Sequence, residues 1–435
     1  MGEEMEKYLV GPMPIQQFLD EYFPISKLPN LDAVPLFSPG CYHDTVSAAN
    51  ETSSYKPFVS LYYALHYHFH IFFFKVKTTQ GFTPNLRAVN SSSHVDCNPN
   101  SDFSFKIKPD VSVYCADSHP SVKTDSSSVE LFIEFKWDAG DDPFCDTYDR
   151  GCSRCDASNA KSFLHETKSS KDTLGQITSY AAAHLGAQFR THIYSVFIVK
   201  DTARILRWDR SGTIVTEGFK YNESPYLAEF FRRFSTASPE MRGKDQTVSD
   251  PTPSEALLAR QCLGLDNQVP LVKLQIPDAK GSPLYFITSA PRATPYTPPG
   301  RATRAGPAYD VLRRTKVFLK DSWRVDLPDI KPEGVTYATL ERHKVRNIPH
   351  CLASGDISTT DYHATKTHNF AQAPWACHSH TPFVPHRHYR LVLDIIGRSL
   401  TTFKSSYEMV TAVRDSLIGE LAQYSCRGRV LIIWL

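Results

Sequence analysis

Apolar and polar positions alternate in short runs along most of this chain, and the period of the runs switches often enough to predict a succession of helices and strands. Ile15 to Phe23 carries apolar residues at helical spacing, and Ser53 to Phe74 begins as a helix and passes into an aromatic, strand-like run. Between Phe103 and Tyr114, Phe105, Ile107, Val111 and Val113 alternate in strand fashion, and Val129 to Trp137 predicts a second short apolar strand. Asp138 to Lys171 has the acids, Gly, Ser and Cys of a loop. Thr173 to Leu185 predicts a helix, with Asp172 or Thr173 as N-cap and Gly186 just past its end. His192 to Lys200 reads as a buried strand. Ala203 to Trp208 and Gly212 to Thr216 then read as a hairpin turning through Asp209-Arg210-Ser211-Gly212.

From Gly243 to Pro253 the chain turns polar, which marks a join, and a second α/β segment follows from about Glu255. Ala290 to Pro307 has the Pro, Arg, Thr and Gly of a loop. The length of 435 residues fits two domains, expected over 1–245 and 271–435 with a linker region at 246–270.

Composition changes this picture little. Hydrophobic content of 41% and aromatic content of 12% supply packed cores, and a net charge of +2 neither demands nor excludes a nucleic-acid partner. The amino-terminal residues lack a basic-then-apolar signal pattern, and Val59 to Phe74 is too short to span a bilayer. An intracellular protein, cytoplasmic or nuclear and not of the membrane, is therefore expected. Cys145, Cys152, Cys155 and His165 have zinc-ligand chemistry, but no second C-x-x-C pair accompanies them, which favours a loop. His363, His368, His378, His380, His386 and His388 are irregularly spaced in a Pro- and Thr-rich stretch, which favours a solvated insertion.

Two constellations carry chemistry. In the first, Lys108-Pro109-Asp110 begins one strand, and Glu134 and Lys136 share a face of the next, because strand side chains alternate with period two. Two carboxylates at one point suit Mg²⁺, and a lysine beside them can orient or deprotonate water for attack on a phosphodiester. Acids and a lysine in a sheet centre are otherwise costly to bury. This Asp…Glu-x-Lys pattern resembles the PD-(D/E)xK restriction-endonuclease-like superfamily. The helix that follows carries Gln176 and Tyr180, a Q-x-x-x-Y spacing that puts both on one face. The resemblance to the exonuclease branch implies that Gln176 and Tyr180 bind nucleic acid, that Asp110 and Glu134 bind the metal, and that a helical acid lies upstream, for which Glu51 is the candidate.

In the second, Val317-Phe318-Leu319-Lys320 resembles the V-A-I-K strand of protein kinases, and Glu333 opens a plausible helix that would supply its partner, with Glu341 as the fallback. Gly300 to Ala305 fits G-x-G-x-x-G with alanine at the second and third glycines. Longer phrases, Val317 to Arg324, Tyr389 to Gly397, Ser406 to Leu417, and Arg207 to Val215 in the first half, resemble the fungal-type protein kinase family up to about Leu417.

Together these resemblances imply an α/β and α+β protein of two domains. A restriction-endonuclease-like mixed sheet with flanking helices comes first, then an incomplete kinase fold of amino-terminal lobe, hinge and first carboxy-terminal-lobe helices. They imply a nucleotide at Gly300, Lys320 and Glu333. Neither H-R-D nor D-F-G occurs in the 435 residues, so ATP binding is expected to be weak or absent and the kinase incompetent. Glu420 to Leu435 does not resemble the family's continuation and reads as an altered frame or splice product. Three functions stand open: a kinase-family protein without activity, a Mg²⁺-dependent nuclease or nucleic-acid binder, and a non-catalytic interaction module with a protein partner over the shortened lobe.

Overall fold

Residues 1–29, 31, 40–62, 85–96, 105–116, 124–146, 163–277, 282–291, 297–357, 361–376, 383–397 and 400–426 are described by the structure, a computed structural model. The chain divides into two compact units. The first comprises Met1–Asp245, Pro291–Ala302 and Ala364–Pro385, and the second Gln246–Ala290, Thr303–His363 and His386–Leu435.

In the first unit the helices are α1 (Gly2–Met5), α2 (Ile15–Tyr22), α3 (His43–Val46), α4 (Glu51–Leu61), α5 (Lys168–Ala187) and α6 (Tyr226–Thr236). The strands are β1 (Leu9–Met13), β2 (Leu86–Asn90), β3 (Val111–Cys115), β4 (Leu131–Lys136), β5 (Ile193–Val199), β6 (Thr202–Asp209), β7 (Gly212–Thr216) and β8 (Phe219–Lys220). They form one mixed sheet in the order β1-β7-β6-β5-β4-β3-β2, with β8 paired to β6. β2, β3 and β4 run antiparallel, whereas β5 lies parallel to β4, so the chain must cross over between them, and α5 is that crossover.

The strand period divides the core between the two faces of the sheet. Ile193 and Phe197 of β5 pack with Leu174, Ile177, Ala181 and Leu185 of α5. Tyr194, on the opposite face, meets Phe18 of α2, Phe23, and Phe230 and Phe234 of α6 in a cluster of rings. Burial on both faces explains why β5 reads as a continuous apolar run.

Several expected elements change their bounds. β3 begins at Val111 rather than near Phe103, since Pro109 has no N–H for a ladder. The helix expected from Thr173 starts at Lys168, because Thr167 is its N-cap and accepts from the Ser170 N–H at 3.2 Å; Gly186 lies inside it. The aromatic run 63–74 and the pair Cys152 and Cys155 lie outside the described residues, while Cys145 is buried and His165 bonds the Asp142 carbonyl.

The β6–β7 turn ties later segments into this unit. Asp209 Oδ1 accepts from the Ser211 and Gly212 N–H groups, and its Oδ2 accepts from those of Lys366 and Thr367 and from Arg207. A side chain at Gly212, with φ near +155°, would lie 2.4 Å from the Tyr8 carbonyl, so the turn requires glycine. Arg210 donates to the Pro298 carbonyl at 2.9 Å, and its own carbonyl accepts from Gly300 at 2.8 Å.

The second unit is an antiparallel sheet in the order β14-β15-β13-β12-β11-β10-β9. Its strands are β9 (Val248–Ser249), β10 (Leu271–Ile276), β11 (Leu284–Ser289), β12 (Arg304–Asp310), β13 (Thr315–Val325), β14 (Cys351–Asp356) and β15 (His386–Leu393), and its helices α7 (Pro253–Leu263), α8 (Glu333–Arg342) and α9 (Ser406–Cys426). The stretch expected as a linker, 246–270, is folded. Thr252 and Glu255 make a reciprocal capping box, Pro253 opens α7, and Gly264 closes it in the left-handed region. Ala259 then packs with Leu271, Ile287 and Tyr309.

β13 and β15 are locked by a buried charge cluster. Arg390, fully buried, donates to Asp321 at 2.7 Å, to the Gln275 carbonyl at 2.7 Å and to Thr247 at 2.8 Å. His388 bonds Asp321 at 2.7 Å and stacks between Trp323 and His363. Burial would raise the Asp321 carboxyl, but His388 and Arg390 hold it far below the usual carboxylate range. Three of the histidines expected in a solvated insertion, His363, His386 and His388, are thus buried, two of them stacked within this cluster; His378 and His380 lie outside the described residues.

Candidate functional site

The first constellation meets at one end of the first unit's sheet. Val111 lies opposite Ile133 across β3 and β4, so Asp110 and Glu134 come next in the register. Both are buried, at 8% and 3% exposure. Asp110 Oδ2 accepts from the Phe135 N–H at 2.9 Å, which seats its carboxylate across the strand from Glu134. Lys136 Nζ donates to Glu134 Oε1 at 2.6 Å. Phe132, Glu134 and Lys136 share the face that looks toward α5, and Phe132 packs edge-on to the Tyr180 ring.

Gln176 and Tyr180, one turn apart on α5, face inward. Gln176 Nε2 donates to Glu134 Oε1 at 2.5 Å and to the Tyr180 hydroxyl oxygen at 2.8 Å, and Tyr180 donates to the Lys108 carbonyl at 2.9 Å. Helix α5 is thereby bolted to both carboxylate-bearing segments. From the other side α4 brings Glu51, whose Oε1 accepts from the Tyr55 hydroxyl at 2.8 Å, and Tyr55 also reaches Asp110. Tyr55 was not singled out by the sequence; its place four residues after Glu51 on a helix was the available signal.

The electrostatics are those of crowded acids. Burial, then the neighbouring Asp110, pushes the Glu134 carboxyl up to about 8. Burial raises Asp110 as well, against the pull of the Phe135 N–H, Tyr55 and Lys136. Burial alone would lower the Lys136 ammonium, but Glu134 outweighs it and the net shift is upward. Glu134 Oε2 is buried with no hydrogen-bond partner, while Oε1 holds both Lys136 and Gln176. An orphaned carboxylate oxygen beside a second buried carboxylate fits a hard divalent cation. Among the described residues, Asp110 and Glu134 belong to no group of three or more metal-ligating side chains.

In the second unit, Lys320 on β13 donates to Glu333 Oε2 at 2.6 Å, and Glu333 is the first residue of α8. Gly300 groups with the first unit instead, with φ near +109° and its N–H given to Arg210. The backbone donor that would face a phosphate is thus already bonded.

A strand lysine held by a helix glutamate beside an antiparallel sheet is a kinase-like feature. A fungal protein kinase family profile matches residues 147–428, and the chain belongs to that family. The match takes in α5 to α6 of the first unit as well as the sheet of the second. No curated protein and no solved structure matches the chain. Among the described residues, no helix is long and apolar enough to cross a membrane.

Proposed function

We propose that the first unit binds nucleic acid and cleaves phosphodiester bonds with a divalent cation, and that the second is a kinase-type lobe without phosphoryl-transfer chemistry of its own in these residues. The observation that carries the first part is the buried Asp110–Glu134 pair with Lys136 bonded to one oxygen of Glu134 and the other oxygen unpaired. A strand-strand-helix-strand order with a parallel β4–β5 pair supports the restriction-endonuclease-like reading, as does the helix acid Glu51 beside Asp110.

Asp110 and Glu134 would hold Mg²⁺ or Mn²⁺, which when bound stabilises negative charge developing on a phosphate. The protein's own groups divide the remaining work. Gln176 fixes the Glu134 carboxylate by a hydrogen bond that leaves Oε2 free, and Tyr180 fixes the backbone before Asp110. Lys136, a donor already inside the site and held protonated by Glu134, would orient the attacking water by hydrogen bonding rather than take its proton. Asp110→Ala combined with Lys136→Ala tests this reading. Metal-dependent cleavage should fall by at least about a hundredfold, the range of a lost acid–base group; unchanged cleavage would refute the assignment.

The Lys320–Glu333 bond favours a second activity, nucleotide binding. A melting temperature raised by millimolar ATP, and not raised in Lys320→Ala, would support it; no shift in either protein would remove it.

A further inference from the structure

The acids beside the carboxylate pair are largely engaged, yet two lysines at the same end of the sheet are not. Lys108 precedes Asp110 by two residues, and its carbonyl accepts the Tyr180 hydroxyl. Lys200 follows β5, and its N–H donates to the Lys136 carbonyl at 2.9 Å. With Val111 opposite Ile133 and Lys136 opposite Val199, Lys108, Lys136 and Lys200 fall at one end of three neighbouring strands. Lys108 and Lys200 are exposed, and neither side chain has a hydrogen bond or ion pair among the described residues. Several acids that follow β4 and β5 are engaged with other groups. Asp201 pairs with Lys220 at 2.6 Å, Asp142 and Asp146 pair with Arg204, and the Asp138 carboxylate caps the Gly140 N–H.

Two strand spacings separate the outer lysines, about 9–10 Å. Projected on a duplex axis, that is about three nucleotides at about 3.4 Å of axial rise per phosphate of one strand. Resting on the nucleic-acid reading above, we infer that Lys108 and Lys200 form the phosphate-binding rim that seats a nucleic-acid strand across the Asp110–Glu134 pair. The ligand class is the phosphodiester backbone, held without base readout, because both lysines are point charges on flexible stems.

The experiment measures binding of fluorescent single- and double-stranded DNA and RNA oligonucleotides to the full chain across a salt series with EDTA present. Lys108→Ala with Lys200→Ala should lower the slope of log affinity against log salt by about 1.8 for duplex and about 1.4 for single strands, two lost phosphate contacts. Lys27→Ala with Lys7→Ala, exposed lysines elsewhere in the unit, should leave the slope unchanged. An unchanged slope in the first double variant, an equal loss in the second, or no binding by the wild type would overturn the inference. The two claims fail separately. Binding with the predicted slope but no cleavage under metal sinks the nuclease reading alone, and cleavage with an unaltered slope sinks the rim alone.

Discussion

Glu130, four residues before Glu134 on the approach to β4, should contribute several kcal/mol to the first unit through charge alone. Its carboxylate is buried at 1% exposure and lies against Arg190, Arg242 and Lys244 at 3.3, 3.5 and 2.6 Å. Burial raises its pKa, but the three cations win, Arg190 foremost, and the group sits at about 2 against 4.5 when free. At about 1.4 kcal/mol per unit, that shift corresponds to roughly 3 kcal/mol at neutral pH. A lowered carboxyl stabilises above its unfolded value, and the contribution is lost as pH falls through the folded one. Here most of it is gone by pH 3 and nearly all by pH 2. Glu130→Gln also leaves the Arg190 guanidinium, with no exposed side-chain surface, without its carboxylate. A loss of about 3–5 kcal/mol is expected at pH 7. Hydrogen exchange of the full chain, followed in peptides from β3, β4 and β5, reads this unit separately from the other. The variant should exchange faster at neutral pH, and the difference should narrow as both proteins are acidified. A difference below about 1 kcal/mol at pH 7, or one that widens toward pH 3, would refute the electrostatic argument.

Other predictions follow from the same reasoning. Glu134 has a raised pKa, so its ionisation opposes folding, and stability is shed between pH 4.5 and about 8; Glu134→Gln should raise the melting temperature of the metal-free protein by several degrees at pH 9 and change it little at pH 5. In the second unit, Arg390→Met should destabilise by about 3–5 kcal/mol, since it strands the buried Asp321, and exchange in β13 and β15 peptides would report it. Gly212→Ala should cost at least about 2 kcal/mol by the approach of its methyl group to Tyr8, measured by exchange in β6 and β7.

The candidate site was legible because its chemistry is local. Glu134 and Lys136 are two apart on one strand, Gln176 and Tyr180 four apart on one helix, and both periods are fixed by backbone geometry. Lys320 and Glu333 were legible from the likeness of Val317 to Lys320 to a kinase strand and from the next helix start, although Lys320 lies mid-strand rather than at a strand end. The hydrogen bonds of Gln176 to Glu134 and of Tyr180 to the Lys108 carbonyl were not legible, because their partners lie on segments distant in sequence. The Glu130 cluster was invisible because its cations arrive from β5's approach and from the turn after α6, distant in sequence. Helix α7 was readable, since Thr252-Pro253-Ser254-Glu255 is a capping-box signature before an apolar run, but the surrounding polar residues suggested a linker. The family phrases acquire physical reasons only in three dimensions. Asp209 of the first-half phrase holds residues 366–367, and Asp321 and Arg390 of the second-half phrases hold each other.

Asp110, Glu134 and Lys136 are proposed to form a metal-dependent phosphodiester-cleaving site. Its most direct test is cleavage of single- and double-stranded DNA and RNA by the full chain with Mg²⁺ or Mn²⁺, beside the same protein carrying Glu134→Ala. Cleavage should require the metal and disappear in the variant. No cleavage with either metal, or equal cleavage by both proteins, would contradict the proposal.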